Sequence, residues 1–269
     1  MENRVTLLTY LKHHCRAAPS VKAIKRAINR KYCTVNGQIE TFASSLVRAS
    51  DRIVLDPAGL QEEKPQKMLV LYEDDDLWIV DKPAGMVSKN TKYLLVHRLD
   101  KETSGVLIYA KKAAVLEQMI TLFQEHQVSK RYLAIVDGQM GDMEGKIDAP
   151  IGKVGSYDGQ TLYGVTSRGK PAKTCWRCLK RNKRASLLDL ELITGRTHQL
   201  RVHLKHLHHP ILGDVQYGRS FSLARFHPKR NLLHAHQIAF PHPVHGRRIE
   251  IQAQIPSDFQ EALAQLGLL

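Results

Sequence analysis

The chain has 269 residues, of which 43% are hydrophobic, so it can form one large domain or one domain with a small module. Its formal net charge of +14 at pH 7 favours a polyanionic partner such as a nucleic acid. No apolar stretch approaches the ~18 residues of a membrane span, and the first residues lack the apolar segment of a signal peptide. We therefore expect a cytoplasmic protein with no membrane segment.

Cysteine and histidine show no pattern typical of a disulfide framework or a metal site. Cys175 and Cys178 form a single C-x-x-C pair, and a zinc site would need a second pair at suitable spacing. The histidines between residues 198 and 245 lack the spacing of metal ligands. We expect reduced thiols and no bound metal.

Residues 1–56 are predicted to form a small basic module. After Ser20, a suitable N-cap, the apolar residues Val21, Ile24 and Ile28 recur at helical spacing. The other helix face carries charges of one sign, which repel each other unless phosphate groups neutralise them. The cations expected to contact phosphates are Lys22, Lys25, Arg26 and Arg30. A solvated surface is the alternative.

The remainder of this module is predicted to be a small sheet. Asn36-Gly37 is typical of a tight hairpin turn, and residues 52–55 form another short strand. The helix, this turn and the strand together resemble the alpha-L RNA-binding motif, which a small-subunit ribosomal protein shares with many RNA-modifying enzymes. Residues 57–67, with two prolines, one glycine and mostly polar side chains, are predicted to be a linker.

Residues 68–269 are predicted to form the larger domain, in which short strands outnumber helices. The last helix is expected to begin with a capping box of Ser257 and Gln260. Strands are predicted at 69–72, 77–80, 106–110, 132–136, 188–192 and 248–255, with a helix at 113–126. Because these elements alternate irregularly, we expect an α+β fold with a mixed, mainly antiparallel sheet and flanking helices.

The run from His97 to Gly105 reads His-Arg-Leu-Asp-Lys-Glu-Thr-Ser-Gly and places Asp100 two residues after Arg98. A carboxylate beside a fixed cation stays ionised and can act as a nucleophile or a base. An aspartate that only caps a turn is the alternative.

This run resembles the HRLDxxTSG signature of the RluA-type pseudouridine synthases, and other stretches strengthen the resemblance. Residues 82–85 are similar to the KPxG loop of the family, and residues 129–134 to its K-x-Y-x-A segment. Residues 194–203 and 209–214 are similar to its GRTHQLRVH and HPILGD blocks. The resemblance covers residues 68–255.

The resemblance implies an enzyme that isomerises uridine to pseudouridine in RNA. The base must leave the stack, because C1′ and C5 cannot be reworked inside it. The N1–C1′ bond must then break and the freed uracil must rotate so that C5 faces C1′. No electrons are lost and no external group is added, so no cofactor is required.

The resemblance also implies catalytic roles. Asp100 is the catalytic carboxylate, and whether it attacks the sugar, attacks the base or removes a sugar proton stays open. Tyr132 would stack on the flipped uracil and handle protons, with a core tyrosine as the alternative. Arg201 would pair with Asp100 and keep it ionised, and Arg196 is the competing partner.

Further residues are expected to contact RNA. If residues 98–100 form a strand, Arg98 shares a face with Asp100 and can fill the hole left by the flipped base. An ion pair with Glu102 is the alternative for Arg98. Other expected RNA contacts are Arg196, His198 and Gln199, although the last two could instead orient their neighbours.

The expected substrate is structured RNA. A basic module joined to this family favours large-subunit ribosomal RNA ahead of tRNA, and we expect a monomer. The segment between Val87 and His97 is shorter than is usual in the family, which affects local RNA contacts but not Asp100. Two other functions stay open: a non-catalytic RNA-binding or ribosome-assembly protein, and a nucleoside glycosylase, which would need an activated water.

Overall fold

The computed structural model describes residues 4–18, 20–61, 67–157, 160–218, 226 and 228–269. The chain divides into two compact units, Met1–Pro65 with Ser156–Gln160, and Gln66–Gly155 with Thr161–Leu269. Across these described ranges, no helix has the length and apolar content needed to cross a membrane.

The N-terminal unit contains two helices and short strands. Its elements are β1 (Val5–Thr6), α1 (Leu7–His14), α2 (Val21–Asn29), β2 (Cys33–Val35), β3 (Gln38–Ile39), β4 (Leu46–Val47), β5 (Ile53–Leu55) and a 3-10 helix (Pro57–Leu60). As predicted, Ser20 caps α2, because its Oγ accepts a hydrogen bond from the Ala23 N–H at 3.1 Å. Asn36 and Gly37 both have positive φ and join β2 to β3, which confirms the predicted hairpin turn.

The 3-10 helix lies at the start of the segment that the sequence places in the linker. Leu60 is buried and packs against Ala23 and Ala27 of α2. Burial of this side chain removes apolar surface from water and holds residues 57–60 in the N-terminal unit. Residues 62–66 of the predicted linker lie outside the described residues.

The second unit is built on a ten-stranded sheet. Its elements are β6 (Leu69–Glu73), β7 (Leu77–Lys82), β8 (Leu94–Leu95), β9 (Ser104–Ala110), α3 (Ala113–Gln124), β10 (Ser129–Asp137), β11 (Glu144–Asp148), β12 (Ile151–Tyr157), β13 (Gln160–Val165), β14 (Lys173–Arg181), β15 (Ala185–Leu192), α4 (Gln199–His206), β16 (Leu233–Pro241), β17 (Arg248–Gln252) and α5 (Ser257–Leu266). The strand order is β11-β14-β15-β10-β16-β9-β7-β6, with β17 on β16 and β8 on β9, while β12 and β13 form a separate pair.

The sheet is mixed and mainly antiparallel, which confirms the predicted fold class. Strands β9 and β16 are parallel, and the other described pairs of this sheet are antiparallel. The sequence did not indicate β8, β11 to β14 or β16. Cys175 and Cys178 are free thiols three positions apart on β14, and so lie on opposite sheet faces.

Side chains alternate between two apolar layers that cover both faces of the sheet. On β10, Tyr132 and Ala134 share one layer with Leu200 of α4, whereas Leu133 and Ile135 share the other with α5. Helix α3 packs on this second side against the β7 and β9 end. Since β9 is covered on both faces, all of its residues are buried, and its sequence is a continuous rather than an alternating apolar run.

The predicted capping box of the last helix is wrong. Helix α5 has Pro256 as its N-cap, and no side chain caps it. Ser257 is already the first helical residue, one position too late to accept a hydrogen bond from the N–H groups of the first turn. Gln260 Nε2 instead donates to the Ile255 carbonyl at 2.7 Å.

Candidate active site

Asp100 lies in an irregular loop before β9, so the shared strand face considered for Arg98 and Asp100 does not form. Ser88 Oγ accepts from the Leu99 N–H at 3.1 Å and donates to the Leu99 carbonyl at 2.9 Å. These two bonds satisfy the backbone groups that a strand partner would otherwise take. The Thr103 N–H donates to the Asp100 carbonyl at 3.0 Å and closes a turn after the carboxylate.

Lys82 donates hydrogen bonds to the backbone next to Asp100, and it was not among the site residues predicted from the sequence. Its side chain is fully buried, and its Nζ donates to the carbonyls of Pro83 (2.9 Å), Met86 (2.9 Å) and Lys101 (3.3 Å). The Gly85 N–H also donates to the Lys101 carbonyl, at 2.8 Å. The KPxG match marked this lysine, but only the fold shows that it joins two loops.

Arg201 is the cation that the structure places beside Asp100. It is the third residue of α4, and its Nη1 lies 3.2 Å from Asp100 Oδ2. Arg196 Nε, the competing candidate, donates to the Pro171 carbonyl at 3.0 Å. The Asp100 side chain is 31% exposed and that of Arg201 is 10% exposed, so the pair lies at the edge of the interior.

A second carboxylate, Asp214, binds the same guanidinium group. Arg201 Nε donates to Asp214 Oδ2 at 2.6 Å and Nη2 to Oδ1 at 2.9 Å. Although burial alone would lower the pKa of Arg201, the carboxylates of Asp214 and Asp100 raise it. Burial likewise opposes ionisation of Asp214, but Arg201 and nearby backbone N–H groups lower the pKa of that carboxyl.

A cavity above Asp100 brings most of the predicted residues together. Its lining includes Arg98, Asp100, Tyr132, Arg196, His198 and Arg201. Burial, with a further contribution from Asp100, raises the pKa of the Tyr132 hydroxyl, so this group stays protonated at neutral pH. Arg98 is exposed at this cavity, and Glu102, its alternative partner, instead pairs with Lys101 at 3.8 Å.

His198 lies at the start of α4 in a left-handed conformation with φ of 56°. Its Nδ1 is 2.8 Å from the Tyr217 hydroxyl, and its Nε2 is 3.9 Å from Asp100 Oδ1. Burial and the charge of Arg201 lower the pKa of His198. A neutral imidazole is therefore held close to the carboxylate.

Gln199 is buried beside the cavity, and its hydrogen bonds favour a role in orienting its neighbours over the predicted phosphate contact. The residue is 3% exposed, and its amide is used within the protein. Its Oε1 accepts from Thr194 Oγ1 (2.7 Å) and from the Arg196 N–H (3.0 Å). Its Nε2 donates to the Lys173 carbonyl and to Thr174 Oγ1, each at 3.0 Å. Gln199 therefore shapes the turn before α4, the other role considered for it.

The predicted basic face of α2 separates into two pairs. Lys22 and Lys25 are exposed. Arg26 is half-buried and Nη2 donates to the Leu60 carbonyl, while Arg30 Nη1 donates to the Gln61 carbonyl at 3.3 Å. These arginines bind the chain around the 3-10 helix, so the structure does not place them with the lysines as simple phosphate contacts.

Among the described residues, Asp74, His242 and His245 form one group whose possible metal-ligating atoms lie within 4.8 Å of one another. Their hydrogen bonds do not fit a metal site. His242 Nδ1 and His245 Nδ1 accept from the N–H groups of Val244 and Arg247, each at 3.2 Å. In each ring the lone pair of Nδ1 is therefore already used by a backbone N–H group. His242 Nε2 lies 3.0 Å from Asp74 Oδ2, to which it donates.

Comparison with known proteins confirms the resemblance to RluA-type enzymes. The model of the RNA pseudouridylate synthase family matches residues 63–206. An uncharacterized RNA pseudouridine synthase of Mycobacterium bovis is 38% identical over 77% of this chain and 76% of its own length. Ribosomal large subunit pseudouridine synthase D of Haemophilus ducreyi is 31% identical over 90% of this chain and 85% of its own.

A solved structure agrees with these sequence relatives. Human RNA Pseudouridylate Synthase Domain Containing 4 superimposes with a TM-score of 0.63 and 26% identity, covering 74% of this chain and 93% of its own. The chain therefore belongs to the RNA pseudouridine synthase family and is an isomerase that acts on RNA.

Proposed function

We propose that the chain isomerises uridine in large-subunit ribosomal RNA, with Asp100 as the catalytic carboxylate. One observation carries this proposal: Asp100 lies at a cavity with its Oδ2 bound by Arg201 over 3.2 Å. A buried cation at this distance keeps a carboxylate ionised. It also leaves Oδ1 for the substrate.

In this proposal the flipped uridine enters the cavity and its C1′ or its base meets Asp100. The N1–C1′ bond breaks, the uracil rotates, and a C5–C1′ bond forms. The proton on C5 is then released and N1 gains one, so atoms and charge balance without a cofactor. Sugar attack, base attack and removal of a sugar proton by Asp100 all fit this sequence of bonds.

Tyr132 and Arg98 have supporting roles in the proposal. Tyr132 offers a ring on which uracil can stack. Because its pKa is raised, its hydroxyl is a proton donor rather than a base at neutral pH. Arg98 is exposed at the cavity, where its guanidinium can occupy the space that the flipped base leaves in the RNA.

The proposed RNA target is supported by the net charge of the chain and by the name of one relative. The net charge of +14 suits a large polyanion, and one relative carries the name ribosomal large subunit pseudouridine synthase D. Exposed Lys22 and Lys25 on α2 would bind phosphates of the same RNA. We propose that the reaction occurs in the cytoplasm, and tRNA is the second candidate substrate.

The test is tritium release from RNA transcribed with 5-tritiated uridine, because C5 loses its hydrogen only in the isomerisation. We expect release from large-subunit ribosomal RNA with the wild-type protein. With Asp100→Asn we expect none, while RNA binding persists. Release from tRNA alone would reassign the target, and free uracil would indicate a glycosylase. RNA binding without release from any cellular RNA would favour an assembly protein.

A further inference from the structure

Arg201 is held from two sides by carboxylates of unequal burial. The Asp214 side chain is 1% exposed, whereas that of Asp100 is 31% exposed. Two of the three guanidinium nitrogens, Nε and Nη2, donate to Asp214. Only Nη1 donates to Asp100.

We propose that Asp214 is a positioning residue for the isomerisation. It binds Arg201 so that a single guanidinium N–H group reaches Asp100, and its carboxylate partly offsets the positive charge of Arg201. The proposal rests on the proposed function, in which Asp100 is the catalytic carboxylate. Asp214 is not among the described residues that line the cavity, so it would act through Arg201.

Asp214 is suited to this task because it cannot turn away. Its Oδ1 accepts from the backbone N–H groups of Gln216 at 3.0 Å and Tyr217 at 3.1 Å, in addition to Arg201. A bidentate pair between a carboxylate and a guanidinium fixes the plane of both groups. The direction of Nη1 is therefore set by the turn at residues 214–217 and not by Asp100.

The same turn is anchored to strand β13. Gln216 Oε1 accepts from Arg201 Nη2 at 3.0 Å, and its Nε2 donates to the Thr161 carbonyl at 3.2 Å. The Tyr217 hydroxyl accepts from the Tyr163 N–H at 3.2 Å and also bonds His198. Both residues that approach Asp100, Arg201 and His198, thus depend on this turn.

Asp214 also shares the positive charge of Arg201. Two carboxylates and one guanidinium leave a net charge of −1, so Arg201 does not fully neutralise Asp100. Without the Asp214 charge, the buried guanidinium faces Asp100 alone and is free to offer it two N–H groups. A carboxylate bound in that way is a weaker nucleophile and a weaker base. The titratable groups that face Arg201 are Asp100, Asp214, Tyr217 and His198.

The test compares Asp214→Asn with a matched control, Asp189→Asn. Asp189 on β15 also binds an arginine through both oxygens, since it contacts Arg131, but it is not part of the cavity lining. For Asp214→Asn we expect a single-turnover rate lowered by about 10²-fold, with RNA affinity unchanged.

The outcomes separate this proposal from the proposed function. If the wild-type protein releases no tritium from any RNA, the proposed function itself is refuted. An active wild type with a normal rate in Asp214→Asn, or a lowered rate accompanied by weaker RNA binding as in a general stability defect, would refute only the positioning role. If Asp214→Asn does not fold, Gln216→Leu removes one acceptor of Arg201 Nη2 without changing charge. A several-fold slower rate at unchanged RNA affinity is expected there, and a wild-type rate would overturn the proposal.

Discussion

Lys82 Nζ donates a hydrogen bond to the Lys101 carbonyl over 3.3 Å, so a fully buried ammonium group contacts the residue directly after Asp100. Burial lowers the pKa of Lys82 from 10.5 to about 8. Below pH 8 the folded protein therefore carries a buried charge that is unfavourable relative to the unfolded chain. Between pH 8 and 10.5 the unfolded chain binds the proton that the folded protein releases.

This predicts a stability that rises with pH relative to Lys82→Met. As the pH rises from 8 to 10.5, we expect the free energy of unfolding of the wild type to increase by about 3 kcal/mol relative to that of the variant. At pH 7 the variant is still the less stable of the two, because the carbonyls of Pro83, Met86 and Lys101 each lose one hydrogen bond. Urea unfolding at several pH values measures the difference. A difference that stays constant with pH would contradict the prediction.

Two glycines beside this lysine differ in a way that substitution can separate. Gly105 and Gly85 have φ of +115° and +84°. A Cβ on Gly105 would lie 2.2 Å from the Ala235 carbonyl oxygen, whereas one on Gly85 would have no atom within 4 Å. We expect Gly105→Ala to cost about 4 kcal/mol from clash plus backbone strain, and Gly85→Ala about 1 kcal/mol from strain alone. Thermal unfolding compares them, and equal costs would refute the steric argument.

The exposed lysines of α2 predict a salt-dependent contribution to RNA binding. Lys22→Glu with Lys25→Glu should weaken binding and reduce the slope of log K against log salt by about 2, roughly one for each phosphate that is no longer neutralised. Arg26→Met serves as the comparison, because Arg26 contacts the Leu60 carbonyl. It should lower the melting temperature more than it changes the salt slope. A slope unaffected by the double reversal would mean that α2 does not bind RNA.

Gln199 predicts a loss of stability without a loss of RNA affinity. Gln199→Leu removes four hydrogen bonds of the side-chain amide, to Thr194 Oγ1, the Arg196 N–H, the Lys173 carbonyl and Thr174 Oγ1. We expect about 2 kcal/mol of destabilisation and an unchanged dissociation constant for RNA. Urea unfolding and filter binding give the two quantities. Weaker RNA binding by a fully folded variant would indicate that Gln199 contacts RNA after all.

Structural features that depend only on residues adjacent in the sequence were predictable. Ser20, the apolar spacing of α2 and the Asn36-Gly37 turn each act within a few residues. Most of the core strands were found for the same reason, because their apolar runs are local patterns. Strands β8, β11 to β14 and β16 were missed, since their side chains pack against partners that the local pattern does not specify.

The sequence by itself determined the family, the mixed α+β fold class and the motif residues Asp100, Tyr132 and Arg201. Only the tertiary structure decided that Arg201, 101 residues away along the chain, binds Asp100 while Arg196 binds the Pro171 carbonyl. It also decided that Gln199 is buried and that Asp214 shares Arg201. These relationships depend on strand register and on the direction in which α4 leaves the sheet, and both are set by long-range packing rather than by adjacent residues.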